Sequence, residues 1–297
     1  MGFLHKFKKI YFWVFLIWPI IKNFFPKIKV LSSIETLEKI RKTNCSCVRL
    51  GDGEFGILKG VGGPGYQKMS AHLRKALLEV LTNTDPNVLL CVPEPFDIEK
   101  MTTYTKRARY HWIAIICKFF PYLRQNLRQD YEYGNTQMTR PYIDQHEKSI
   151  AGQIFNEFKK IFFARDIVIV EGEKTRFGVG NDLLSGAKTI RRIEAPAKNA
   201  FEKYDLILQA SNKIPKDALI LVALGPAAKP LILDLSRKGY QALDVGHLDI
   251  EYEWFLRGAT KKTPIPGKYV NELKKGREVR DEINLSQYNV EIMERIE

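Results

Sequence analysis

Short unbroken apolar runs alternate along this chain with longer stretches in which apolar residues recur every three or four positions. The runs "CSCVRL" (45–50), "NVLLCV" (87–92), "DIVIVEG" (166–172), "ALILVALG" (218–225) and "YQALDVG" (240–246) predict short strands buried on both faces, with "AKTIRRIEA" (187–195) as another. Between them "SSIETLEKIRK" (32–42) carries a serine N-cap signal and apolar residues at Ile34, Leu37 and Ile40, so it predicts a helix. The stretches "SAHLRKALLEVL" (70–81), "EKSIAGQIFNEFKKIF" (147–162), "NAFEKYDLILQASNKI" (199–214) and "AAKPLILDLSRKG" (227–239) predict further helices, and residues 104–129 predict one or two. Pro230 fits if it falls in the first turn of its helix. Strands alternating with helices through short connections imply an α/β fold, a mostly parallel sheet covered on both faces.

In such sheets ligands bind beyond the carboxyl ends of the strands. The polar, glycine-containing stretches fall there: "GDGE" after Leu50, "EGEKTRFGVGND" after Val170, "GPAAK" after Leu224 and "DVGHLDIEYE" after Leu243. Asp52 and Glu54 flank Gly53; on an extended segment both carboxylates point the same way and can hold one hard cation through oxygen. A solvated glycine turn is the plainer reading of the same triplet. Arg49, three residues upstream, is placed to pair with a phosphate or with one of these acids. "GVG" followed by "NDLL" reads as a glycine turn feeding a helix N-terminus, with Asn181 and Asp182 as anion site or ordinary N-cap, and Lys174 and Arg176 nearby. In "DVGHLDIEYEW", Asp249 and Glu253 share a face if the segment is helical, and Glu251 joins them only if it is extended. Among these acids a general base is sought, Glu251 first and Asp249 and Glu253 behind it.

Charge and composition narrow the setting. The net charge is +13, and residues 1–30 hold six lysines and no acid, so almost half of the excess sits in a leader. This argues against a general nucleic-acid binder and leaves anionic substrates or an anionic membrane surface. The leader's uninterrupted apolar run, Ile10 to Ile21, is 12 residues, short of the roughly 18–20 that span a bilayer. Its Phe12, Trp13, Phe15 and Trp18, flanked by lysines, suit an amphipathic helix lying at a lipid interface. The four cysteines have no metal-ligand spacing and form no disulfide framework, so a reducing cytoplasm is expected, at the inner face of the cell membrane. The organisation read from the chain is a membrane-associating segment at 1–30, a catalytic domain at 31–260 and a charged, loosely packed extension at 261–297.

The stretches "RLGDGEF", "GNTQMTRPYID", "IVEGEKTRFGVGNDLL", "APAKNAFEKYD" and "LGPAAKPLILDLSRKGYQALDVGHLDIEYEWFL" together resemble the GT-D-fold glycosyltransferases, the family labelled domain of unknown function 1792. The match runs from about residue 45 to 257. The resemblance implies a Rossmann-like α/β sandwich of GT-D type, and puts the family's metal-binding DxE motif on Asp52 and Glu54. It implies Mn²⁺ or Mg²⁺ on the diphosphate of a nucleotide sugar, a UDP-hexose, and a glycan or glycolipid acceptor in bacterial surface polysaccharide or glycoprotein synthesis. On that reading Arg49, Lys174 and Arg176 compensate leaving-group charge, Asn181 and Asp182 contact the donor, and Asn199 touches the nucleotide. Two alternatives remain: a metal-dependent phosphohydrolase using the same acids on a phosphorylated substrate, and a non-enzymatic membrane-bound subunit of a glycan-assembly complex, which would bind no nucleotide.

Overall fold

The computed structural model describes residues 16–279 and 285–297. Its centre is a sheet in which, among the described residues, nine strands lie in the order β1-β4-β3-β2-β8-β7-β5-β6-β9, every pairing parallel. The strands are β1 (Lys29–Val30), β2 (Ser46–Arg49), β3 (Val88–Val92), β4 (Glu132–Asn135), β5 (Asp166–Gly172), β6 (Thr189–Ala195), β7 (Leu219–Ala223), β8 (Gln241–Asp244) and β9 (Ile292–Arg295). Helices α1 (Ser33–Thr43), α2 (Asp52–Lys59), α3 (Ala71–Thr82), α4 (Lys106–Asn126), α5 (Ala151–Phe162), α6 (Tyr204–Ser211), α7 (Ala228–Arg237), α8 (Leu248–Leu256) and α9 (Ser286–Glu291) cover it.

Successive strand residues point to opposite faces, and each face builds its own apolar layer. Val168, Val170, Ile220 and Val222 join Leu73, Leu77, Ile116 and Leu231 on one side. Ile167, Ile169, Leu219 and Leu221 join Leu37, Phe155, Phe158 and Trp254 on the other. The predicted helix at 32–42 forms with a complete capping box: Ser32 Oγ accepts the Glu35 N–H at 3.2 Å, and Glu35 Oε2 accepts the Ser32 N–H at 2.8 Å. The stretch 104–129 becomes one helix, α4, running through Pro121. The helix expected at 199–214 is a 3₁₀ turn (Ala200–Lys203) followed by α6, and Pro230 sits in the first turn of α7. Strands β1, β4 and β9 lack apolar runs, and the pattern gave no sign of them.

The extension after Lys261 is not loosely packed in its described part. Ile265, Lys268 and Val270 are buried, the Tyr269 N–H donates to the Lys174 carbonyl at 2.9 Å, and β9 pairs with β6 at Arg192↔Ile292 and Glu194↔Arg295. Scattered apolar anchors among charges are enough to dock it, although they make no periodic pattern. Half of the leader's apolar run, residues 10–15, lies outside the described residues. Residues 16–24 are helical, and Phe25 packs at 6.1 Å from Phe96 and 6.4 Å from Phe120. Leu16 (52% exposed), Ile20 (61%) and Phe24 (58%) lie four apart along the outer side. Among the described residues no helix is long and apolar enough to cross a membrane.

Helix α2, which begins at the end of β2, is held against the loop that follows it. A Cβ at Gly56 would come within 2.3 Å of the Gly62 carbonyl oxygen. Alanine gains about 1 kcal/mol of helix propensity over glycine, but forcing backbone apart costs about 1–3 kcal/mol. Gly56→Ala is therefore expected to lower the thermal midpoint by several degrees, at about 2–4 °C per kcal/mol. A raised midpoint in a thermal melt would show that the contact yields freely.

Candidate active site

Connections leave the two central strands in opposite directions: the chain passes from β2 to β3 and β4 on one flank, and from β8 to β9 at the far edge of the other. The carboxyl ends of β2 and β8 thus meet at a topological switch point, where open α/β sheets leave a crevice. A cavity of about 900 Å³ opens there.

Its floor is a chain of buried charges. Arg49, the last residue of β2, donates from Nε to the Asp244 carbonyl at 2.9 Å and from a terminal nitrogen to Asp244 Oδ1 at 2.7 Å. Lys229, in the first turn of α7, stands 2.9 Å from Asp244 Oδ2 and 3.4 Å from Glu54 Oε1. Burial would raise the Asp244 pKa, but the charges of Arg49 and Lys229 outweigh it and hold the carboxylate below its ordinary range. Arg49 also needs Gly246: with φ at +44°, that residue sits in the left-handed region, and a Cβ there would lie 1.9 Å from the guanidinium.

Asp52 and Glu54 both line the cavity, but the expected extended arrangement is not what forms. They are the first and third residues of α2, about 200° apart around a helix, so their carboxylates diverge. Gly51 offers no side-chain cap, and Glu54 turns back to accept its N–H at 2.8 Å while facing Lys229. Asp52 points outward; its side chain is 50% exposed and Oδ2 lies 3.4 Å from Nε2 of His111 on α4. Desolvation opposes the charge on Asp52, but the His111 contact and the Arg140 charge prevail and lower its pKa.

Arg140, just after a 3₁₀ turn at Thr136–Thr139, forms the adjoining wall. It pairs with Glu272 and donates to His247 Nδ1 at 2.8 Å, while His247 Nε2 meets Asn271 Oδ1 at 2.9 Å. Burial and the Arg140 charge push the His247 pKa down to about 3. The ring is neutral, accepting at Nδ1 and donating from Nε2 to the amide oxygen, so it orients Arg140 and has no free nitrogen for proton transfer.

Arg49, Asp52, Glu54 and Asn199 are therefore brought together around one cavity. Asn199 (φ 56°) ties down the loop at its edge: its N–H donates to the Tyr66 carbonyl at 2.8 Å and its Oδ1 accepts the Lys68 N–H at 2.9 Å. The remaining expected residues do not line the cavity. Lys174 is half-buried beside Glu173, and Arg176 is buried with a guanidinium nitrogen 2.8 Å from the Gly267 carbonyl. Asp182 pairs with Lys159 at 2.7 Å and accepts from Tyr252 at 2.6 Å. Asn181 bridges Asp249 and Glu253 at 2.8 Å each, and both acids face buried Lys268. Because the segment is helical, Glu251 departs from that pair. Its Oε2 accepts the N–H groups of Tyr142 and Ile143 at 3.1 and 3.0 Å, behind the cavity wall. The acids that looked repulsive in the sequence are balanced by partners far away in the chain, and none of the three is placed as a base.

Sequence reasoning missed His111, Lys229 and Arg140 as site residues. His111 lies in the helical stretch 104–129, Arg140 in "GNTQMTRPYID" and Lys229 in "GPAAK", but no local pattern marks any of the three side chains. Trp112 is buried at 7% exposure, packs on Phe96 at 6.1 Å and lines the cavity.

Comparison with known proteins gives one answer. Residues 47–273 match the family model described as glycosyltransferase GT-D fold. A probable glycosyl transferase Gly of Streptococcus gordonii is 37% identical over 247 residues, 83% of this chain and 36% of that protein. Glycosyltransferase GlyD of Streptococcus pneumoniae serotype 4 is 37% identical over 270 residues, 91% of this chain and 33% of that protein. The chain thus spans about a third of the length of either relative. A solved structure of domain of unknown function 1792, described as having a distinct glycosyltransferase fold, superposes with a TM-score of 0.86 at 38% identity, covering 93% of this chain and 98% of that one. A glycosyltransferase of the same domain type from Streptococcus sanguinis gives 0.84 at 34% identity, covering 91% and 100%.

Glu251 makes a measurable prediction. Burial raises its pKa to about 7, against the opposing charge of Arg140 and with Asp144 reinforcing the rise. A carboxyl with a raised folded pKa leaves the native state holding more protons than the unfolded chain between about pH 4.5 and 7, so its contribution falls as pH rises through that window. Glu251→Gln keeps an acceptor for the two N–H groups and removes the titration. Denaturant midpoints across pH 4.5–7 are expected to decline less steeply in the variant; identical slopes would remove Glu251 from the account.

Proposed function

We propose that this chain, which belongs to the glycosyltransferase GT-D fold family, transfers a hexose from a UDP-sugar to a glycan or glycolipid acceptor, with Mn²⁺ or Mg²⁺ held at Asp52. The observation that carries this reading is the placement of a half-exposed carboxylate, Asp52, in the middle of a cavity at the switch point of a parallel sheet. Among the described residues no three His, Cys, Asp or Glu side chains are grouped to hold a metal by themselves. That suits an ion of this class, which takes one or two carboxylates and completes its shell with substrate phosphates and water. Asp52 supplies one such carboxylate. Glu54 is turned away from it, capping Gly51 at 2.8 Å and facing Lys229 at 3.4 Å. A cation held at Asp52 would supply charge neutralisation to the leaving diphosphate.

The chain's own residues do the rest. In the transfer, the bond between the anomeric carbon and the diphosphate oxygen breaks and one to the acceptor hydroxyl oxygen forms. Negative charge collects on the departing nucleoside diphosphate, and the acceptor's proton is released. Arg140, fixed by Glu272 and His247, holds positive charge on the wall beside Asp52 without reorganising as the reaction proceeds. The half of the cavity beyond β5, β6 and β7 is lined by Gly172, Thr175, Pro196, Ala197, Asn199 and Gly225, none of them charged. That neutral half is assigned to the nucleoside. Donor sugar, acceptor and pathway are proposals for this chain in its own right, given how small a part of its curated relatives it spans.

Attachment to the inner face of the cell membrane is proposed on the same terms. The outward apolar row Leu16, Ile20 and Phe24, with Lys22, Lys27 and Lys29 beside it, suits an anionic interface. Sedimentation with anionic vesicles is expected for the full chain, and a several-fold loss for Ile20→Asp with Phe24→Asp. Equal sedimentation of both proteins would contradict it.

The test of the reaction is release of nucleoside diphosphate from a panel of nucleotide sugars, with Mn²⁺ and with chelator. Turnover of one donor is expected to need the cation and to fall at least ~100-fold in Asp52→Ala, with the circular dichroism spectrum unchanged. Full turnover by that variant would contradict the role of Asp52.

A further inference from the structure

The two halves of the cavity differ in charge. Opposite the neutral half, the wall on the β3 and β4 side carries Arg107 and His111 from α4, Arg140, and Lys261 and Lys262 from the segment after α8. Most of these are matched. Arg140 pairs with Glu272, Lys262 stands 2.7 Å from Glu272 and 3.6 Å from Asp144, and His111 faces Asp52. Arg107 and Lys261 differ: both are exposed, both line the cavity, and among the described residues neither makes a hydrogen bond or ion pair.

Their positions are linked. The Thr105 N–H, two residues before Arg107, donates to the Asp144 carbonyl at 3.3 Å, and Lys262, next to Lys261, approaches the Asp144 carboxylate. The start of α4 and the segment after α8 therefore meet at one point of the rim. Arg107 also shares a helix face with His111, four residues on, which separates it by about 5–6 Å along the helix from the group touching Asp52. An exposed cation on a convex surface is solvated and needs no explanation. Two on the concave wall of one cavity, beside the apolar surface of Trp112 and Ile143, focus a positive field inward.

We infer that Arg107 and Lys261 bind a phosphoryl group carried by the acceptor. This rests on the proposed reading of the cavity: the donor's diphosphate is assigned to Asp52 and its nucleoside to the neutral half, so an anion at the opposite rim belongs to the other substrate. The fork of Arg107 suits phosphate oxygens, and Lys261 adds a second positive charge. Half-buried Ile143, on the same cavity, gives the sugar or carrier next to the phosphate an apolar contact.

Inorganic phosphate, titrated into the full chain holding UDP and Mg²⁺ and followed by phosphorus NMR, tests this. Phosphate is expected to bind alongside UDP, and the double variant Arg107→Ala with Lys261→Ala is expected to bind it at least ten-fold more weakly while its UDP affinity stays within about two-fold. Loss of UDP affinity in the variant would assign both cations to the donor and overturn the inference, as would failure of phosphate to bind once UDP is present. If wild type bound no UDP, the donor reading would fail by itself; phosphate binding and its loss in the variant would still be read without UDP. Farnesyl phosphate separates the two sources of the anion: tighter binding than inorganic phosphate points to a lipid-linked acceptor, equal binding to a water-soluble one.

Discussion

The buried sequence of charges Arg49–Asp244–Lys229–Glu54 holds the centre of this molecule together. It joins the ends of β2 and β8 to the first turns of α7 and α2, four elements that meet where the sheet reverses its winding. Charges so deep are costly unless each finds its partner, and removing one member of such a set costs about 3–5 kcal/mol because the others stay buried and unpaired. Arg49 is further fixed by contacts to Thr136 and Thr139, which ties in the turn after β4. The cavity is thus built on a floor that cannot slide, and the requirement extends to Gly246, where any side chain would occupy the space of the guanidinium.

This floor decides what each acid can do. Glu54 is consumed by structure: it caps α2 at Gly51 and completes the charge sequence at Lys229. Asp52, two residues earlier, is released into the cavity by the same helix, because a helix sends the first and third residues to different sides. One acid anchors and one is presented. The wall facing Asp52 is ordered in the same way, with neutral His247 and Glu272 fixing Arg140 from two directions. On the proposed reading, this fixed positive charge stabilises a leaving diphosphate without the protein moving its own groups.

The central strands were legible because parallel strands buried on both faces leave unbroken apolar runs, as at Ile167–Val170 and Leu219–Val222. Ser32 and Glu35 announced α1 through their capping chemistry. Short edge strands such as Lys29–Val30 have no pattern to read, and β9 is held as much by the pairs Arg192–Glu291 and Arg295–Glu194 as by apolar burial. The site was legible as motifs and not as geometry. "GDGE" was correctly placed at a strand's end, but its acids were taken as extended and parallel when the chain turns helical at once. The acids of "DVGHLDIEYEW" looked like an active edge because their partners, Lys268, Asn181 and the Tyr142–Ile143 backbone, lie at distances in sequence that no local reading spans. The side chains of His111 and Lys229 carried no mark for the same reason, although "GPAAK" itself was placed at a strand's end: each is brought to the cavity by a long-range contact, with Asp52 in one case and Asp244 in the other.

The central claim is that the donor's diphosphate lies at Asp52, between the neutral and cationic halves of the cavity. A crystal structure of the full chain with UDP and Mn²⁺ measures this directly. The account predicts the cation on the Asp52 carboxylate and on the diphosphate, with the uracil among Thr175, Ala197 and Asn199. A nucleotide bound with its phosphates away from Asp52, against Arg107 and Lys261, would contradict it.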